Sequence, residues 1–306
     1  MYIISVGRSF NDIDAFGCAL AYAELLRAEG QAAQVVFLGP LNNSVTPLAL
    51  AQSNSYLTSY ELQADDRVIY VDISSPEHLA FPDHLEQTAE IYDHHYGFEA
   101  YWQARIGSQA HIERVGAAAT LIWEEFKKRG LADQISASST NLLALAILQN
   151  TLNFTSSETV DRDRLAFEEL TPHLTLPAGW PAQYFQEFAL GIHQNFQEAL
   201  RNDTKITPNY FADQTLVFSQ LEISEDPVAF LARYQAEIDA YWAEFQNKRC
   251  LVNIPDMASK TSVLYSDDPA WLHTVLEPLF PEVLESTPSW IRIPLHQRKQ
   301  ILKLMA

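Results

Sequence analysis

Short runs of β-branched and aromatic residues alternate with helix-forming stretches through the first half of the chain, and this alternation is the tightest constraint on its fold. Strands are read at residues 2–6, 33–38, 67–72 and 89–92. Helices are read at about 15–28, 47–52 and 116–129, from Ser138 or Ser139 to about Asn150, and at 161–170. Neighbouring parallel strands need a crossover of a dozen or more residues, most often a helix. The order therefore predicts an α/β fold, with a doubly wound parallel sheet between helices. The pattern breaks at Leu176-Pro177-Ala178-Gly179-Trp180-Pro181. Helices at about 182–200, 228–246 and 270–280, with strands at 214–220, 250–254, 262–265 and 290–293, predict a smaller C-terminal mixed α/β domain. The expected division is 1–190 and 191–306, with substrate in a cleft between the two.

The formal net charge is -19. Proteins that grip a phosphate backbone need a basic face to release counterions, so nucleic acid is a disfavoured partner. A small phosphate compound stays open, provided that cations gather locally. Cys18 and Cys250 fit neither a disulfide framework nor a zinc spacing, and a reducing cytoplasm is the simplest compartment. No apolar run approaches membrane-span length, and residues 1–6 read as a strand rather than a basic leader.

Four carboxylates fall at the ends of predicted strands or just past them: Asp12, Asp14, Asp72 and Asp93. His94 and His95 follow the last of them. In an open parallel sheet, ligands bind beyond the carboxyl ends of the strands. Asp12 and Asp14 are two apart and would share one side of an extended loop. Carboxylate oxygens suit hard divalent cations such as Mg²⁺ or Mn²⁺, and an imidazole shifts the preference toward manganese. Two such ions about 3.5–4 Å apart could clamp the attacking and leaving oxygens of a phosphoryl displacement.

With these residues in view, the chain resembles the DHH phosphoesterase superfamily, and within it the manganese-dependent (family II) inorganic pyrophosphatases and their exopolyphosphatase relatives. Gly7-Arg8-Ser9-Phe10-Asn11-Asp12-Ile13-Asp14 stands where that family has Gly-His-x-Asn-Pro-Asp-x-Asp. Val71-Asp72 and Tyr92-Asp93-His94-His95 match the second and third motifs, and Val115-Gly116-Ala117-Ala118 matches a glycine-opened helix. The run from Ala146 through Asn150 to Phe154 is similar to the fourth motif. Asn202-Asp203-Thr204-Lys205, Ser219-Gln220-Leu221-Glu222 and His296-Gln297-Arg298-Lys299-Gln300 resemble second-domain motifs. The resemblance implies that Asp12 and Asp72 bind a first metal, and that Asp14, Asp72 and His94 bind a second, with a fourth-motif ligand at Asn150. It implies phosphate contacts from His95, Lys205, Arg298 and Lys299, and a homodimer formed through the first domain. Asp93 is expected to orient His94, and His95 to act as general acid.

Three positions depart from the family pattern. Arg8 replaces a histidine ligand, Asn150 an aspartate, and Gln297 an arginine. Arginine cannot ligate and carries a fixed charge, so Arg8 is expected beside Asp12 or Asp72, standing in for the first metal as a catalytic cation. Each missing anion weakens a divalent site, so one Mn²⁺ or Mg²⁺ is expected rather than two. The resulting expectation is a metal-dependent hydrolase of phosphoanhydride or phosphoester bonds, acting on pyrophosphate or a polyphosphate-like substrate. A degenerate member that binds a phosphate compound or a protein partner is the alternative, and a short-oligonucleotide phosphodiesterase the weaker one.

Overall fold

The structure, a computed structural model, describes residues 1–53, 55–211 and 214–305. The chain forms two compact units: Met1–Phe154 with Glu158–Glu187, and Thr155–Ser157 with the chain from Phe188 on.

The first unit contains β1 (Tyr2–Ser5), α1 (Ile13–Ala28), β2 (Ala33–Val36), α2 (Pro47–Leu50), β3 (Arg67–Val71), β4 (Thr88–Asp93), α3 (Glu99–Ile106), β5 (Ala110–Ile112), α4 (Ala118–Lys128), α5 (Ala137–Asn150) and α6 (Asp161–Leu170), and it ends within α7 (Trp180–Gln194). Its five strands are all parallel, in the order β2-β1-β3-β4-β5. The period-2 alternation of side chains divides each strand between two cores. Ile4, Val35, Ile69, Val71 and Tyr92 join α1, α4 and α5 on one face. Ile3, Val36, Val68, Tyr70 and Ile91 meet Trp102 of α3 on the other. α1 is buried along nearly its whole length because small residues let its neighbours close in. A Cβ on Gly17 would lie 3.1 Å from the Leu142 carbonyl of α5.

The order 2-1-3-4-5 reverses direction between β1 and β3. In such sheets the ligand crevice lies beyond the strand ends at that switch point, and the segments that follow β1, β3 and β4 carry Asp12, Asp72 and His94.

The second unit takes the end of α7 and adds α8 (Phe196–Asn202), β6 (Thr204–Phe211), β7 (Gln214–Gln220), α9 (Pro227–Trp242), β8 (Arg249–Asp256), β9 (Thr261–Ser266), α10 (Pro269–Trp271), β10 (Glu285–Ser286), β11 (Trp290–Pro294) and α11 (Arg298–Met305). The sheet order is β10-β11-β9-β8-β7-β6, with β7 and β8 parallel and the other pairs antiparallel. Helices cover both faces here too. The expected α/β class, a parallel sheet followed by a mixed one, is the observed one.

Several elements differ from the expectation. The stretch 99–112 contains α3 and the short edge strand β5, and the tail 298–305 is helical. The helix expected over 182–200 breaks at Asn195. α5 is capped by Ser136, whose hydroxyl accepts from the Ser139 N–H, and both the Ser136 and the Ser139 hydroxyls donate to Glu24. Among the described residues no helix is long and apolar enough to cross a membrane.

Candidate metal centre

The loop between β1 and α1 is fixed by the segment that follows β2. Asn11 donates from its side chain to the Gly39 carbonyl (2.8 Å) and from its backbone to Pro40. The Ser44 hydroxyl accepts from the Ile13 N–H and donates to Asn42 Oδ1. α1 then starts at Ile13, with Asp12 as its N-cap: Oδ1 accepts from the Asp14 and Ala15 N–H groups, both at 3.0 Å. Asp12 and Asp14 therefore do not share one side of an extended loop. The helix begins between them and turns the chain by about 100° per residue. Asp12 is half-buried and Asp14 fully buried.

Asp14 meets the start of α4. Its Oδ2 accepts from the Ala118 N–H (2.7 Å), and its Oδ1 from the Ala119 N–H (2.9 Å) and the Cys18 thiol (3.3 Å). A helix N-terminus presents donors and a partial positive charge, and so receives an anion readily. Asp72, just past β3, takes the left-handed conformation (φ 57°) while its N–H still donates to the Tyr92 carbonyl. For a residue other than glycine that conformation is uncommon and is frequent at functional sites.

The His94 ring closes the cluster. Its Nε2 lies 3.2 Å from Asp72 Oδ1 and 3.8 Å from Asp14 Oδ2. Its Nδ1 lies 3.1 Å from the Val115 carbonyl. A carbonyl can only accept, so the proton belongs on Nδ1 and the Nε2 lone pair faces the two carboxylates. Three acceptors thus converge, and a divalent cation that takes carboxylate oxygen and imidazole nitrogen fits that donor set. Asp72, His94 and His95 present ligand atoms within 4.8 Å of one another. The same crowding appears in the electrostatics. Burial, and then Asp72 beside it, push the Asp14 carboxyl up to about 8.

Asp93 behaves differently from the expectation. Its Oδ1 accepts from the His94 backbone N–H (2.8 Å) and pairs with His95 Nδ1 (2.8 Å). The ring it orients is that of His95, while the Val115 carbonyl orients His94. Burial pushes the Asp93 carboxyl up, but the His95 and His94 rings outweigh it and hold it below the usual carboxylate range. The His95 side chain is 40% exposed. Residues outside the motifs complete the frame. Trp102 Nε1 donates to the Ser74 carbonyl (2.6 Å), and the Ser74 hydroxyl donates to the His95 carbonyl. Only the glycine-opened run 115–119 carried a signal for any of these partners.

Arg8 requires a correction. Its side chain is exposed, and among the described residues it forms no ion pair with Asp12 or Asp72. Its backbone N–H is tied to the His78 carbonyl (3.0 Å), and a guanidinium left in water avoids the cost of desolvation. Asn150 is the half-buried last residue of α5. In the second unit, Lys205 is exposed on β6 and Lys299 is half-buried in α11. Arg298, expected on phosphate, is buried instead. Its Nη2 pairs with Asp203 Oδ1 (2.7 Å), and its Nη1 donates to the Asp203 and Phe218 carbonyls. Its planar fork joins the start of β6 to β7. Gln297 accepts from the Ser156 hydroxyl (3.0 Å) within the same unit.

No family model matches the chain. A Lactobacillus delbrueckii protein named probable manganese-dependent inorganic pyrophosphatase is 29% identical over 172 residues, covering 52% of this chain and 50% of its own. An Exiguobacterium protein of the same name is 30% identical over 172 residues, covering 55% and 54%. The chain thus spans about half the length of the curated relatives it matches. Among solved structures, a Methanococcus jannaschii protein described as a candidate family II inorganic pyrophosphatase aligns with a TM-score of 0.73 at 17% identity, over 100% of this chain and 99% of its own. An exopolyphosphatase-related protein from Bacteroides fragilis aligns with a TM-score of 0.52 at 11% identity, over 99% and 89%. In sequence over about half its length, and in fold over all of it, the chain is similar to the manganese-dependent (family II) inorganic pyrophosphatases.

Proposed function

We propose that this chain is a metal-dependent hydrolase of phosphoanhydride or phosphoester bonds, acting on pyrophosphate or a polyphosphate-like substrate with one Mn²⁺ or Mg²⁺ ion. The observation that carries this reading is the cluster of Asp72, His94 and His95, whose ligand atoms lie within 4.8 Å of one another, with Asp14 Oδ2 3.8 Å from His94 Nε2. Asp14, Asp72 and His94 hold the ion, with Asp12 and Asn150 as weaker neighbours. When bound, such an ion polarises a phosphoryl oxygen and makes water a better nucleophile. Asp93 keeps a proton on His95 Nδ1. When the part-exposed ring also carries a proton on Nε2, it can hand that proton to the leaving oxygen while the Nδ1 proton stays with Asp93. Lys205 and Lys299 supply positive charge to phosphate, and Arg8 contributes only as an exposed cation. On this reading the protein is a cytoplasmic homodimer whose domains divide near residue 190.

The arginine at 8 and the amide at 150 favour a second reading, a member that binds phosphate compounds or a partner without turnover. Both replacements remove ligands and so reduce metal occupancy. Metal content of the purified protein, followed by phosphate release from pyrophosphate and tripolyphosphate at rising Mn²⁺, separates the two. Metal-dependent release supports the hydrolase. Tight phosphate binding with no release supports the second reading. Absence of metal, binding and release overturns both.

A further inference from the structure

The cluster holds together through a turn that belongs to none of its ligand-bearing elements. Residues 115–119 touch two ligands at once. The Val115 carbonyl accepts a hydrogen bond from His94 Nδ1–H, and the Ala118 and Ala119 N–H groups donate to Asp14. A single buried carboxylate behind this turn fixes it. Asp163, on α6 and fully buried, accepts at Oδ2 from the Gly116 N–H (2.8 Å) and the Val160 N–H (2.8 Å), and at Oδ1 from the Thr120 hydroxyl (2.7 Å). The contact is close: a Cβ on Gly116 would stand 2.7 Å from Asp163 Oδ2 and 2.9 Å from Thr151 Cγ2. Gly116 lies between the carbonyl that orients His94 and the amides that orient Asp14, and Thr120 lies in the first turn of the same helix.

We infer that Asp163 is a positioning residue for the metal centre: it sets the 115–119 turn, and through it both the His94 ring and the Asp14 carboxylate. The inference rests on the metal reading above and adds to it a residue from an element that supplies no ligand. An aspartate accepts all three hydrogen bonds, whereas an asparagine of the same shape has one oxygen and presents an NH₂ to the other donors. Partners that orient metal ligands are typically worth 10- to 100-fold in affinity. Acting one contact further out, Asp163→Asn should weaken Mn²⁺ binding by about tenfold.

The control is Glu169→Gln, on the same helix. Glu169 accepts from Trp123 Nε1 (2.6 Å) and Lys127 Nζ (2.7 Å) of α4, so the control loosens the same pair of helices away from the turn. The experiment is Mn²⁺ titration by calorimetry of the full-length wild type and both variants, with ¹⁵N-histidine spectra of the metal-free proteins. A tenfold loss for Asp163→Asn, little change for Glu169→Gln at similar thermal stability, and loss of the Nδ1–H form of His94 in Asp163→Asn alone support the inference. Equal Mn²⁺ affinity in all three proteins overturns it. Should wild type bind no Mn²⁺, the metal reading fails, and the inference is judged on the His94 tautomer: an unchanged tautomer in Asp163→Asn overturns it as well. If Asp163→Asn does not fold, Thr120→Val removes one of the three donors. It should move affinity and tautomer in the same direction by a smaller amount, and no movement overturns the inference.

Discussion

Asp14→Asn tests the centre most directly, because the structure gives opposing terms that separate with pH. Three donors point at the carboxylate: the Ala118 and Ala119 N–H groups and the Cys18 thiol. An amide oxygen can serve one side only, so one buried N–H then faces an NH₂. That costs about 1–3 kcal/mol. Only where Asp14 is ionised does its charge at the start of α4 add about 0.3–1 kcal/mol that the amide lacks. Against this stands the strain of a buried carboxylate crowded by Asp72, which pushes the Asp14 carboxyl up to about 8 from 3.8. The folded state holds this proton more tightly than the unfolded chain does. The corresponding stability is therefore fully present below about pH 4 and is lost as pH rises through about 8, at up to about 1.4 kcal/mol per pH unit. The variant has no such proton to lose. In the presence of a chelator, Asp14→Asn should be less stable than wild type by about 1–3 kcal/mol at pH 5, and the gap should narrow or reverse by pH 8.5. Manganese should reverse the order again. A ligand at a hundred times its Kd stabilises by about 2.7 kcal/mol, and only wild type should gain it. Urea unfolding at pH 5 and 8.5, with chelator or Mn²⁺, measures each term. A constant difference between the two proteins across pH, or an equal Mn²⁺ gain, would refute the reasoning.

Restoring the two missing ligands together, Arg8→His with Asn150→Asp, should raise bound Mn²⁺ per chain and pyrophosphate hydrolysis more than the sum of the single changes; two bound ions with an unchanged rate would place the defect elsewhere, as at Gln297. His95→Ala should lower turnover by about 10²-fold or more while phosphate affinity stays within a few-fold, and a parallel fall in both would remove it as the acid. Lys205→Ala should do the opposite, weakening phosphate binding, as read by competition with a phosphate analogue, more than it lowers saturated turnover.

What the sequence determined is local. Apolar runs ending in Asp72 and in Asp93-His94-His95 mark strand ends, and the alternation of strands with helices elsewhere in the first half points to parallel pairing. A chain with that order has its crevice at those ends. The likeness of its motifs to those of metal-dependent phosphohydrolases then singled out the candidate ligands. What the tertiary structure decided is each ligand's partner, because those contacts join residues distant in sequence. Asp14 is held by amides 104 and 105 positions away. The His94 tautomer is set by Val115, whose carbonyl carries no side-chain signal. Asp93 serves His95 rather than His94 because its Oδ1 meets the second ring while the first turns to Val115. Arg298 is an arginine in a phosphate-like motif, yet its fork is spent on Asp203 and Phe218, 95 and 80 positions earlier. Asp163 sits outside every motif, 47 positions past the glycine it holds. Spacing along the chain can place a carboxylate at the end of a strand, but it cannot say which donors the packing of α4 and α6 will bring to it.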